Sequence, residues 1–265
     1  MAPAQLQSSL KSALGHHRAG RLAEAELQYR RLLLVAPRHF DVVHLAGLLA
    51  YQQGRIVEAV ELLARALKID PRHVVCEMRY ALALIAAQRM PEAEEHFRHA
   101  VAVKPDFHEG WDNLAYCLKA QNRLAEAVVC HEKTVAVAPS YANGWYNFGL
   151  TLSLMGRPLE ALGHHDRALA ADPKYALARF GRAQALQQTG QIAAAVEDYG
   201  KFLAAEPRHH EARSYRLFAM HYLPDVSRET LFAEHVAFGR SLPPAPKVAF
   251  ANPPDPARRL RIAIL

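Results

Sequence analysis

The chain has 265 residues, 51% of them apolar and 22% charged, a balance that fits one or two folded domains and excludes pervasive disorder. Its net charge of +6 and pI near 9.3 raise the question of nucleic acid, but Lys and Arg alternate with Asp and Glu, and the single basic knot is Arg258, Arg259 and Arg261. No nucleic-acid partner is therefore expected.

From the N-terminus, "MAPAQLQSSLKSAL" has no signal-peptide core, and apolar runs such as 80–87 stay well below the roughly 20 residues of a bilayer crossing. No membrane partner is expected. Cys76, Cys117 and Cys130 form no C-x-x-C pair and suit a reducing compartment, so a cytoplasmic protein is expected.

Proline then recurs at Pro37, Pro71, Pro105, Pro139, Pro173 and Pro207, and alanine at Ala25, Ala59, Ala93, Ala127, Ala161 and Ala195. Each column steps by 34 residues (71 minus 37, 59 minus 25), a period that points to stacked supersecondary units. The proline cannot continue a helix and stops the second helix of each unit. The alanine fits where two antiparallel helices cross closely. Gly20, Gly54, Asn122, Gly156 and Gly190 lie between the two helices, where a left-handed residue closes a helix, with Gln88 the one departure. The repeated "W-x-N-[LF]-[AG]" of "WDNLAYCL" and "WYNFGLTL" puts a large ring on the inner face of the first helix, where the next hairpin is expected to stack.

These columns resemble the tetratricopeptide repeat over Leu6 to His209. The expected fold is all-α: a right-handed α-solenoid of six helical hairpins in phase at 6–39, 40–73, 74–107, 108–141, 142–175 and 176–209. Repeats one and three lack the early tryptophan. Capping and linker helices are expected over 208–240, beginning with "HEARSYRLFAMHYL", where Arg213 takes the tryptophan position.

In such a solenoid the first helices line a concave surface. The groove positions are Glu109, Asp112, Asn113, Tyr116 and Lys119 in the fourth repeat and Asn143, Tyr146, Asn147, Leu150 and Ser153 in the fifth. Asn113 and Asn147 share one register position, filled elsewhere by Leu45, Arg79 and Gly181. An amide side chain both donates and accepts, so these asparagines either hold the backbone of an extended peptide or bond within their own repeats.

The 15 histidines call for a metal search. Adjacent pairs diverge on a helix, and only Glu92, His96 and His99 have chelating spacing. They are expected on an outer helix face, with no metal. His131 and His165 replace the aromatic ring of the hairpin interior and are expected to be buried and hydrogen-bonded. G-x-S-x-G, H-E-x-x-H and a phosphate-cradling glycine loop are all missing from the sequence, so no catalytic residue and no cofactor are expected in these 265 residues.

After Pro224, Ser227 is placed to cap a short helix ending near Gly239, with Leu231, Phe232, His235, Val236 and Phe238 on one side. A proline-rich linker over 241–257 leads to "RRLRIAIL" at 258–265, which has the look of a buried parallel strand. The order of repeats, "YLPDVSRETLFAEHVAFG", prolines and "RRLRIAIL" is similar to the junction in bacterial, SPINDLY-like members of the O-linked N-acetylglucosamine transferase family. That resemblance implies that the terminal segment is the first strand of a glycosyltransferase domain. It further implies that the repeats are a recognition arm, non-catalytic alone, holding proteins or extended peptides in a groove that includes Asn113 and Asn147. Two readings stand beside it: a free-standing adaptor, and a protein O-glycosyltransferase using a UDP-sugar.

Overall fold

Each of the six column prolines stands two residues past the end of a helix and three before the next, and the computed structural model, which describes residues 2–242, shows six helical hairpins in series. The first helices of the hairpins are α1 (Pro3–Arg18), α3 (Phe40–Gln52), α5 (Val74–Ala86), α7 (His108–Ala120), α9 (Ala142–Leu154) and α11 (Ala176–Gln188). Their partners are α2 (Leu22–Val35), α4 (Ile56–Ile69), α6 (Met90–Val103), α8 (Leu124–Val137), α10 (Pro158–Ala171) and α12 (Ile192–Ala205). Then come α13 (His210–Met220) and α14 (Arg228–Ser241). The fold is an all-α solenoid, with α1 starting three residues before the expected Leu6 because Pro3 suits the first helical turn.

The turn inside each hairpin takes a left-handed residue. Gly20, Gly54, Gly156 and Gly190 have φ of 71 to 78°, and the non-glycines Asn122 and Gln88 adopt the same conformation at 59° and 60°. Gln88 is held there by the helix-closing bond from Arg89 N to Leu84 O at 2.8 Å, the same bond that Arg55 N makes to Ala50 O. The closure geometry thus overrides the side chain's preference.

The six column alanines are fully buried. A second column of small residues, Ala13, Gly47, Ala81, Ala115, Gly149 and Ala183, is also buried. Its glycines lie directly against side chains of the partner helix, Gly47 against Leu63 and Gly149 against His165, which lets the helices of a hairpin pack closely.

The tryptophan N–H groups reach back to the preceding hairpin, and the Trp145 ring stacks on His164 of its own hairpin. Trp111 Nε1 donates to Pro105 O at 2.9 Å and Trp145 Nε1 to Pro139 O at 2.8 Å. The arginines at the equivalent positions keep this bond: Arg179 donates to Pro173 O and Arg213 to Pro207 O, each at 3.1 Å. In repeat three the position holds Glu77, buried, with His96 Nδ1 at 3.1 Å and His99 Nδ1 at 2.7 Å. Both histidines thus reach Glu77 on α5, although His99 stays exposed as expected, and Glu92, also exposed, is paired with Arg89. Burial pushes the Glu77 carboxyl up, but the two imidazole bonds outweigh it and hold it below its usual range.

α13 closes the array, burying Ala212, Leu217, Ala219 and Met220 and setting Tyr215 over Tyr199 with centroids 6.2 Å apart. Ser227 Oγ accepts from Thr230 N at 3.1 Å and starts α14, which runs two residues past Gly239 and buries no side chain, Phe232 remaining 72% exposed. On the apolar side of α14, Leu231, Val236 and Phe238 are half-buried, and Phe232 and His235 are exposed. Most of the linker and the whole strand-like segment at 258–265 lie outside the described residues.

Candidate binding groove

The first helices of successive hairpins lie side by side, so equivalent positions of α7, α9 and α11 form rows across one face. At its centre is Asp112, its side chain 11% exposed. Asn147 Nδ2 donates to both of its oxygens at 3.1 and 3.2 Å, Asn143 Nδ2 donates to Oδ2 at 3.2 Å, and Tyr141 Oη donates to Oδ2 at 3.3 Å. Tyr175 Oη extends the chain by donating to Asn143 Oδ1 at 2.7 Å. One carboxylate from α7 therefore gathers donors from the start of the next hairpin, and the tyrosine ahead of α11 extends the network to the far end of that repeat.

The asparagines divide their work. Asn113 Nδ2 donates within its own helix to Glu109 O at 2.7 Å, and Asn147 Nδ2 is committed to Asp112. Asn113 spends one of its two N–H donors internally, Asn147 turns its amide nitrogen to Asp112, and neither Oδ1 has an internal partner, so both amide oxygens are available as acceptors. Burial raises the Asp112 carboxyl above its usual range, with Asn147, Tyr141 and the Lys119 charge restraining it. Burial likewise lowers the Lys119 ammonium, which Asp112 opposes. Tyr146 packs edge-on against Tyr175 at 5.7 Å, and Tyr116 and Arg79 are exposed outside the network.

His131 lies beneath Asp112, with Nε2 3.0 Å from Thr151 Oγ1 and Nδ1 3.7 Å from Asp112 Oδ1. Burial, helped by the Lys119 and His164 charges, lowers its pKa to about 3. His165 departs from expectation: it is fully buried, yet neither ring nitrogen has a hydrogen-bond partner. Gly149 and Gly181 press on its ring so closely that a Cβ on either would stand 2.6 Å from its Cε1.

Tyr141 and Tyr175 carry much of the network and belong to a further column with the same 34-residue step: His39, His73, Phe107, Tyr141, Tyr175 and His209. Each is the residue before a first helix, and His73 and His209 cap theirs by accepting from Cys76 N and Ala212 N. The N-terminal end of the groove is different in kind. Leu6, Leu10, Leu14 and Leu45 line an apolar cavity of about 730 Å³ with Lys11 and Asp41 at its edge. Among the described residues no set of three or more His, Cys, Asp or Glu is placed to hold a metal ion. Nor is any helix there long and apolar enough to cross a membrane.

Two family models described as tetratricopeptide repeat match the sequence, one over residues 10–73 and 146–201, the other over 50–112. The chain is a tetratricopeptide repeat protein. No curated protein matches its sequence. Solved structures share its fold: PilW, a type IV pilus biogenesis factor, superposes with a TM-score of 0.72 at 17% identity, covering 81% of this chain and 99% of its own. PilF of Pseudomonas aeruginosa gives 0.66 at 20%, covering 76% and 90%. YrrB, described as having an unusual peptide-binding site, gives 0.56 at 20%, covering 64% and 88%. These likenesses describe the helical array of the tetratricopeptide repeats and leave their ligand open.

Proposed function

We propose that this protein is a protein-binding scaffold whose concave face holds an extended polypeptide of a partner. The Asp112 network carries the reading: an acceptor-rich patch on a rigid row of helices suits the regularly spaced N–H donors of an extended backbone. The peptide-binding site of YrrB is consistent with it. In the proposed roles, Asn113 and Asn147 accept from the peptide backbone, Asp112 holds Asn147 in place, and Asn143 steadies the Asp112 carboxylate. Tyr116, Tyr146, Lys119 and Arg79 contact side chains. A peptide selected on the parent protein and followed by fluorescence anisotropy tests this. Asn113→Ala with Asn147→Ala is expected to weaken binding at least tenfold, and equal affinity would remove the groove assignment.

Further, the scaffold is read as the recognition arm of an O-linked N-acetylglucosamine transferase-like enzyme. The similarity of 222–265 to that junction supports this, as does α14, which buries no side chain and leaves Phe232 72% exposed. A coding frame continuing past Leu265 into a sheet-containing domain with a histidine-bearing loop is the expected finding, and a stop codon there favours the free-standing adaptor. In calorimetry the 265-residue chain is expected to show no affinity for UDP.

A further inference from the structure

We propose that His221 and His235 form a two-imidazole site for a divalent first-row transition ion, which clamps α14 to the last helix of the array. His221 follows α13 directly and His235 lies in α14. Their Nε2 atoms are 2.9 Å apart, with ring centroids at 5.2 Å and planes at 52°. Copper, nickel and zinc bind imidazole nitrogen at about 2.0–2.1 Å, which puts two neighbouring ligands of one ion about 2.9–3.4 Å apart. The nitrogens already have that spacing. Both side chains are exposed and can turn so that their lone pairs converge.

In the metal-free pair one Nε2 hydrogen bridges the rings. On binding, each ring carries its hydrogen at Nδ1, and both Nε2 lone pairs go to the ion. No third His, Cys, Asp or Glu among the described residues converges on the pair, and the neighbouring Glu234 is held by Arg216 at 3.2 Å. Water completes the coordination, so the site is open and of moderate affinity, with copper bound more tightly than nickel or zinc.

The consequence for the molecule follows from how little else holds α14, which buries no side chain. An ion bonded to both histidines fixes this helix at the end of the solenoid, where Phe218, Tyr222 and Phe232 form an exposed apolar surface. The test is a titration of the full chain with copper, nickel and zinc chlorides in separate calorimetric runs at pH 7.5. Amide exchange of 228–241 is followed in parallel. One site per chain is expected, at least tenfold weaker in His221→Ala and in His235→Ala, with exchange slowed by the ion in the parent alone. The doubly substituted chain measures the background from the other histidines. A double-variant isotherm that overlays the parent's overturns the proposal, as does exchange in 228–241 that saturating ion leaves unchanged.

Discussion

Single side chains decide how this array responds to acid. His44, His164 and His165 have pKa values lowered to about 4, and His131 to about 3, in every case chiefly by burial. Their unfolded-state value is near 6.5, so the unfolded chain takes up protons first as pH falls. Stability from these groups is complete above about pH 6.5 and drains away toward pH 4. His165 is the clearest case because its nitrogens are unpartnered and its ring is enclosed by two glycines. Between pH 7.5 and 5.0 it is expected to account for about 1–2 kcal/mol of lost stability. His165→Leu, which installs the residue that Leu63 provides three hairpins earlier, is expected to flatten the urea-midpoint dependence over that range. It is also expected to be at least as stable as the parent at pH 7.5, since an unsatisfied buried polar group is removed. An unchanged pH dependence would assign the acid loss to other groups.

At the scale of the helix, the close approach of α9, α10 and α11 is set by the fit of Gly149 and Gly181 around His165. Gly149→Ala puts a Cβ 2.6 Å from the ring and is expected to cost about 1–3 kcal/mol through overpacking. In a His165→Ala background the same change is expected to cost little, so a double-mutant cycle by urea denaturation should return a coupling of at least 1 kcal/mol. Additive effects would mean that the glycines serve something other than this ring. Much of the fold was legible because proline stops, crossing alanines and turn residues act locally and repeat. The tryptophan column was legible only in part. Arg179 and Arg213 keep its bond to the proline carbonyl with a different side chain, and no residue-type count treats arginine and tryptophan as equivalents. The Asp112 network was harder still. Asp112 and Asn147 could be placed on one face by register, but their bond depends on the offset between neighbouring hairpins. Tyr141 and Tyr175 sit in a column whose members, His, Phe and Tyr, share a position rather than a chemistry.

Taken as a whole, the molecule is a chain of nearest-neighbour contacts, each hairpin packing on the ones beside it. Stability should then depend on which interfaces remain covered. α13 covers the last one: Tyr215 stands over Tyr199 and Phe180, and His209 packs on Phe202 with centroids 5.0 Å apart. α14 lies against α13 but buries no side chain of its own. A chain ending at Leu223 is therefore expected to unfold in urea within about 0.5 kcal/mol of the parent, as surface changes away from packed features do. A chain ending at Arg208 uncovers the rings of Phe180, Tyr199 and Phe202. It is expected to lose several kcal/mol from its last hairpin, since each large ring buried contributes about 1.5–3 kcal/mol. Amide exchange locates the loss: α11 and α12 should exchange far faster in the shorter chain, while helices α3 to α6 keep their protection, because they touch neither α12 nor α13. Uniform loosening from end to end would show that the array folds as one cooperative block, and that its contacts carry further than the neighbouring hairpin.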